Sequence, residues 1–160
     1  MTEIDWDTRV AALWNAASEL SDETVVEMMD ELAAERGELD AAALFEVASV
    51  RDYIGRESEA EPLYRRAIEL GLDPVRLPQA VIQLGSTLRI LGRAEEAITV
   101  LGDWLALNDQ HPLADSARAF LALAFVSAGH PTEGAALALH TLAPRLPQYS
   151  GAVARYARGL

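Results

Sequence analysis

Three short segments of the sequence share one pattern and decide the fold: Gly55-Arg56-Glu57-Ser58-Glu59-Ala60, Gly92-Arg93-Ala94-Glu95-Glu96-Ala97 and Gly129-His130-Pro131-Thr132-Glu133-Gly134. The first glycine of each segment lies 37 residues after the previous one. Similar residues precede the glycines at the same spacing: Val47, Leu84 and Leu121 are apolar, and Ala48, Gly85 and Ala122 are small. A fixed period of this length indicates that each repeat is one supersecondary unit.

Each repeat is predicted to be a helical hairpin. In the second repeat an apolar run at three- and four-residue spacing stops at Gly92, and a second run begins directly after it. The turn is short, which favours antiparallel packing of the two helices. No stretch alternates as a strand does. We therefore expect Gly55, Gly92 and Gly129 to form the turns, and Ala60, Gly85, Ala97 and Ala122 to lie buried where helices approach closely.

The residues at the repeat positions match a known family. They are Leu44, Val47, Ala48, Gly55, Ala60, Tyr64 and Ala67 in the first unit, and Val81, Leu84, Gly85, Leu88, Gly92, Ala97 and Leu101 in the second. This pattern resembles the tetratricopeptide repeat (TPR). The third unit departs from it, because Gly134 replaces the usual alanine and Ala138 the usual aromatic residue. The period also exceeds the roughly 34 residues typical of the family, which implies longer loops.

A narrower resemblance rests on two longer strings, Gly55 to Ala67 and Gln83 to Arg93. They are similar to segments of a small family of bacterial TPR proteins without an assigned biochemical activity. The 37-residue spacing predicts an all-α, right-handed α-solenoid of about nine helices with capping helices at both ends, and the narrower resemblance allows a dimer. It also implies a protein-protein interaction module or scaffold and offers no catalytic residue.

The sequence is expected to form one structural domain with three parts. Residues 1–39 form an acidic N-terminal hairpin that acts as a cap, residues 40–145 hold the three repeats, and residues 146–160 form a C-terminal capping helix. One helix boundary is ambiguous. Asp73-Pro74 is suited to a helix start, but Pro78 then falls in the second turn, so the helix either starts near Leu77 or is kinked there.

Composition excludes several chemistries. All 13 basic residues are arginine, and the chain has no lysine and no cysteine. A P-loop and a Schiff-base enzyme need lysine, and a thiol enzyme or a zinc knuckle needs cysteine. The net charge of -12 disfavours nucleic acid and anionic membranes as partners. The sequence starts without a secretory signal and has no apolar run of bilayer length, so we expect a cytoplasmic protein.

No catalytic, cofactor or metal site is predicted. The three histidines, His111, His130 and His140, are not spaced as metal ligands. No Gly-x-Ser-x-Gly elbow and no glycine-rich phosphate loop is present. We therefore expect a protein that is not an enzyme, and an enzyme with an unrecognised site is the remaining alternative.

The TPR resemblance implies that the first helix of each hairpin lines a concave groove that binds the partner. The positions that map there are Phe45, Ser49, Asp52, Tyr53, Gln79, Ile82, Ser86, Arg89, Ile90, Leu123 and Val126. They do not match the carboxylate clamp of some TPR domains, because Ser49 and Ser86 replace asparagine. Arg89 is the cationic position, and it is either solvated, ion-paired within the chain or available for an acidic group of a partner.

Besides the enzyme alternative, two functions remain open: a module that binds a protein or peptide, and a homo-oligomeric assembly module. Charge is uneven along the chain: residues 1–50 hold 13 acidic side chains against Arg9 and Arg36, whereas residues 134–160 hold three arginines and no acid. These ends are either solvated surfaces or complementary surfaces that meet in a homodimer. In the homodimer, Arg145, Arg155 and Arg158 would meet Glu27, Asp30, Glu31 and Glu35.

Overall fold

The protein is described by a computed structural model that covers residues 5–160. These residues form nine α-helices and no strand: α1 (Trp6–Ala16), α2 (Asp22–Ala34), α3 (Ala41–Tyr53), α4 (Glu57–Leu70), α5 (Arg76–Ile90), α6 (Ala94–Leu107), α7 (Ala114–Ser127), α8 (Pro131–Leu142) and α9 (Ser150–Ala157). Short 3-10 turns follow α1 and α8. The predicted all-α architecture is confirmed. Within residues 5–160, no helix is long and apolar enough to cross a membrane.

The three repeat glycines form the same turn. Gly55, Gly92 and Gly129 have φ angles of 75°, 77° and 88°, a region that favours glycine. The amide of the residue after each glycine donates to a carbonyl five residues earlier, at 2.8 Å for Arg56, 2.9 Å for Arg93 and 2.8 Å for His130. This hydrogen bond belongs to the Schellman motif that ends a helix. The 37-residue period is therefore a repetition of one backbone conformation.

The chain divides into two compact units, one up to Ala80 and the other from Val81, and the boundary falls inside α5. The first unit contains α1 to α4 and the first residues of α5. The second contains the remainder of α5 and α6 to α9. The division of the sequence at residues 39 and 145 stays a prediction.

In the first unit, the acidic hairpin of α1 and α2 packs through its apolar side. Val25 and Met29 of α2 are fully buried in one cluster with Val50 of α3. Val10 and Leu13 of α1 complete this cluster with Ala17. The side chain of Ser21 accepts a hydrogen bond from the amide of Thr24 at the start of α2, as an N-cap residue does. Most acidic side chains of α1 and α2 are consequently exposed.

In the second unit, two glycines allow close helix contacts. A Cβ at Gly85 would lie 2.6 Å from Cγ of Leu101, which is fully buried on α6. A Cβ at Gly134 of α8 would lie 2.6 Å from the carbonyl oxygen of Ala122 on α7. Gly134 departs from the family pattern, and the structure gives the reason: α7 and α8 approach more closely than an alanine allows.

Helix α5 begins at Arg76, one residue before the expected start near Leu77. The side chain of Asp73 accepts hydrogen bonds from the amides of Val75 and Arg76, at 2.8 and 3.0 Å. Pro78 is therefore the third residue of α5 and lies in its first turn, where proline is tolerated.

Candidate interaction surface

In the first unit, the predicted groove residues of α3 are largely engaged in internal contacts. Phe45 is 4% exposed and its ring lies 6.2 Å from that of Tyr64. Ser49 is also buried, and its hydroxyl donates to the carbonyl of Phe45 at 2.8 Å. The hydroxyl of Tyr64 donates to Asp52 at 3.3 Å, and burial raises the pKa of this tyrosine well above its ordinary value. Tyr53 is half exposed.

Gln79 also belongs to the first unit. It is the one predicted groove residue of α5 that precedes the boundary between the units. Its amide nitrogen donates to the carbonyl oxygen of Val75 at 3.0 Å, one turn earlier and directly before the first residue of α5. This contact is local to the start of α5.

In the second unit, the predicted groove residues differ in exposure. Ile82 is buried, whereas Ile90, Leu123 and Val126 are 51%, 49% and 52% exposed. The helices α5 and α7 are first helices of successive repeats. Ser86 and Leu123 are 37 residues apart, as are Arg89 and Val126, so each pair occupies equivalent positions. We call the five residues Ser86, Arg89, Ile90, Leu123 and Val126 the α5–α7 stripe.

Arg89 is the cation of this stripe. Its Nε is buried and has no hydrogen-bond partner, and the structure of residues 5–160 gives its guanidinium no ion pair. A guanidinium carries five N–H donors and no acceptor. Hydrogen bonds from a charged donor to a carboxylate are stronger than those between neutral groups. Arg89 therefore has unused hydrogen-bond donors. The equivalent position on α7 is Val126, which is apolar.

Sequence reasoning missed a polar cluster in the first unit. The guanidinium of Arg76 pairs with Asp73 at 2.9 Å and with Glu46 at 3.3 Å, and it also pairs with Asp7. Glu46 is 6% exposed and accepts a hydrogen bond from Nε1 of Trp14 at 2.8 Å. No sequence signal marks this cluster, since Glu46 and Asp7 lie 30 and 69 residues before Arg76.

The polar cluster has a structural role. Burial raises the pKa of Glu46 above its ordinary value, against the opposing effects of the hydrogen bond from Trp14 and the charge of Arg76. Each polar group in the cluster has a partner within the unit. The cluster joins α1, α3 and the start of α5 within the first unit.

The histidines do not gather into a site. His111 accepts a hydrogen bond from the amide of Leu113 at 3.1 Å and packs edge-on against Trp104. The ring nitrogens of His130 lie 3.8 Å from Glu95 and 3.7 Å from Glu133. In the described part of the chain, no three histidine or acidic side chains are grouped as metal ligands.

Comparison with known proteins assigns the family. The family model of the tetratrico peptide repeat matches residues 41–160, which include α3 to α9. The chain therefore belongs to the tetratrico peptide repeat family. No curated protein sequence matches it significantly.

Solved structures with the same fold are distant in sequence. One contains nearly identical TPR-like repeats of a Podosopora anserina protein described as a kinesin light chain; it has a TM-score of 0.69 and 14% identity, over 96% of this chain and 93% of that chain. Another is YrrB, described as a TPR protein with an unusual peptide-binding site, with a TM-score of 0.64 and 17% identity, over 94% of this chain and 75% of that chain. At this identity the similarity shows the fold alone.

Proposed function

We propose that the protein is a non-catalytic interaction module and that the α5–α7 stripe binds a peptide segment of a protein partner. The observation that carries this proposal is the combination of Arg89, whose donors are unused, with the exposed apolar side chains of Leu123 and Val126. The α3 positions are poorer candidates, because Phe45 and Ser49 are buried and bonded within the first unit. The second unit is therefore the proposed binding unit.

The chemistry of the stripe indicates the chemistry of the peptide. Leu123 and Val126 are each about half exposed, so complete burial by a partner would stabilise the complex by roughly 1 kcal/mol per side chain. Arg89 would bind an acidic side chain or a terminal carboxylate of the peptide. The expected ligand is a segment with an acidic group and one or two apolar residues.

The family and one structural relative support this proposal. TPR proteins in general act in protein-protein interactions, and YrrB is described as having a peptide-binding site. The fold can therefore present such a surface. The residues of the α5–α7 stripe are identified from this chain alone and are not transferred from YrrB.

Selection from a displayed random peptide library, followed by fluorescence anisotropy with the selected peptides, tests the proposal. Losing a charged hydrogen bond costs roughly 1.5–3 kcal/mol, so Arg89→Ala should weaken binding by about 10- to 150-fold. Leu123→Asp should weaken binding comparably, because it places a second carboxylate beside the acidic group of the peptide. Leu107→Asp is the matched control, since Leu107 is 86% exposed at the end of α6 and outside the stripe. Failure to select any peptide, or equal binding by all four proteins, would contradict the proposal.

A further inference from the structure

A second surface lies in the second unit, between α8 and the C-terminal segment, by which we mean residues 150–160 with α9. It is a groove of about 680 Å³ lined by Thr132, Glu133, Ala136, Leu137, His140, Ala157, Arg158 and Leu160. Leu160 is 60% exposed and Tyr156, on α9, is 69% exposed. The groove therefore combines an apolar floor on α8 with a basic rim on the C-terminal segment.

The first unit carries a surface of the opposite charge on the hairpin of α1 and α2. A cleft of about 440 Å³ there is lined by Arg9, Ala12, Leu13, Ala16, Met28, Glu31, Leu32 and Glu35. Met28 is 42% exposed. Glu27 and Glu31 are exposed on either side of it along α2. This face of α2 thus offers one flexible apolar side chain between two carboxylates.

Internal ion pairs engage some of the charged residues that the sequence suggested for contact between the two ends of the chain. Asp30 is paired with Arg51 through two hydrogen bonds of 2.7 Å, and Glu35 is paired with Arg9. At the other end, Arg145 is paired with Asp115. These three charges are used within their own units and are poor candidates for an intermolecular contact.

The other four charged residues of this set are not engaged in internal ion pairs in the part of the chain that the structure describes. Glu27 and Glu31 have no ion pair within residues 5–160, and the same is true of Arg155 and Arg158. The guanidinium of Arg155 lies 5.1 Å from the ring centre of Tyr156, so it is held over an exposed aromatic ring and stays accessible. The free acidic charges lie in one unit and the free basic charges in the other.

We propose that the chain associates with a second copy of itself from head to tail, with the α2 face of Glu27, Met28 and Glu31 docked on the groove between α8 and α9 of the next copy. Met28 enters the apolar floor near Ala136 and Leu137, and the two carboxylates meet Arg155 and Arg158. Methionine suits such a contact because its unbranched side chain adapts to irregular gaps. Glu133, the acidic residue that lines the groove, lies 3.7 Å from Nδ1 of His130.

This proposal uses surfaces outside the α5–α7 stripe and does not rest on peptide binding. The two surfaces differ from each other, so the contact is heterologous. Association should therefore depend on concentration, and salt should weaken it, because exposed charges are screened over about 10 Å at 0.1 M salt.

A charge-swap experiment with sedimentation velocity tests the contact. The head variant carries Glu27→Arg and Glu31→Arg, and the tail variant carries Arg155→Glu and Arg158→Glu. Each variant alone presents like charges on both surfaces and should be monomeric, whereas an equimolar mixture restores opposite charges and should associate. A control with Glu59→Arg and Asp103→Arg changes the same number of exposed acids elsewhere and should associate as the unmodified chain does. A monomeric unmodified chain in low salt, or a mixture that stays monomeric, would overturn the proposal.

Disulfide trapping provides a second, independent measurement, because the chain contains no cysteine. Proteins carrying Met28→Cys and Tyr156→Cys, made separately and mixed under mild oxidation, should form a mixed disulfide dimer in preference to either homodimer. Met28→Cys mixed with Leu107→Cys is the control, since Leu107 is exposed outside both surfaces. Cross-linking at equal rates in the two mixtures would contradict the docking geometry.

Discussion

Gly134→Ala is expected to destabilise the protein even though alanine is the better helix former. The added Cβ would lie 2.6 Å from the carbonyl oxygen of Ala122 and 3.0 Å from Cγ2 of Val126. The carbonyl belongs to the backbone of α7, so relief requires movement of a whole helix rather than a change of rotamer. Overpacking of this kind typically costs about 1–3 kcal/mol.

Gly102→Ala is the matched control, because a Cβ at Gly102 meets no atom within 4 Å. Both glycines lie inside helices, α8 and α6, so both variants gain helix propensity of up to about 1 kcal/mol. The difference in unfolding free energy between the variants therefore reports the packing cost at Gly134. It should be about 1–3 kcal/mol, with Gly134→Ala the less stable.

Urea and thermal denaturation followed by circular dichroism measure this difference. For a chain of this size, about 1 kcal/mol corresponds to roughly 2–4 °C in Tm, so the variants should melt about 2–12 °C apart. The unmodified chain should melt at or just below Gly102→Ala. Equal stability of the two variants would show that α7 and α8 are not as close as the structure places them.

Two further predictions concern buried positions. Ala97 is fully buried, so Ala97→Leu should overpack the α5–α6 hairpin and lower the unfolding free energy by about 1–3 kcal/mol; unchanged thermal melting would show that the assigned repeat register is wrong. The raised pKa of Glu46 means that the folded state holds its proton more tightly than the unfolded state does, so this group favours folding below about pH 4.5 and loses that contribution as pH rises through its folded pKa. As pH rises from about 4.5, the unfolding free energy of the unmodified chain should therefore decrease relative to that of Glu46→Gln. Parallel curves of unfolding free energy against pH for the two proteins would contradict the raised pKa.

The hairpins could be predicted from sequence because their causes are local. Gly55, Gly92 and Gly129 each supply a positive φ that other residues adopt rarely, and the hydrogen bonds of the turn join residues five apart. The helix periodicity on either side of each glycine depends on neighbouring residues too. A period seen in the sequence is therefore sufficient to specify the turns and the helices that they connect.

Features that depend on distant residues could not be predicted in the same way. The polar cluster joins Asp7, Glu46 and Arg76, whose separation in sequence carries no periodic signal. The need for glycine at position 134 arises from the distance between two helices, which the family pattern does not specify. The free charges at Glu27 and Arg158 became distinguishable from those at Asp30 and Arg145 only when internal ion pairs were known.

The repeated turn also bears on the order of events during synthesis. Each hairpin closes through a glycine and hydrogen bonds between near neighbours, so its formation does not wait for residues made much later. Folds with mainly local contacts fold fast, and chains leave the ribosome at about 5–20 residues per second. The hairpin of α3 and α4 can therefore form once Gly71 has emerged from the ribosome, without waiting for α8.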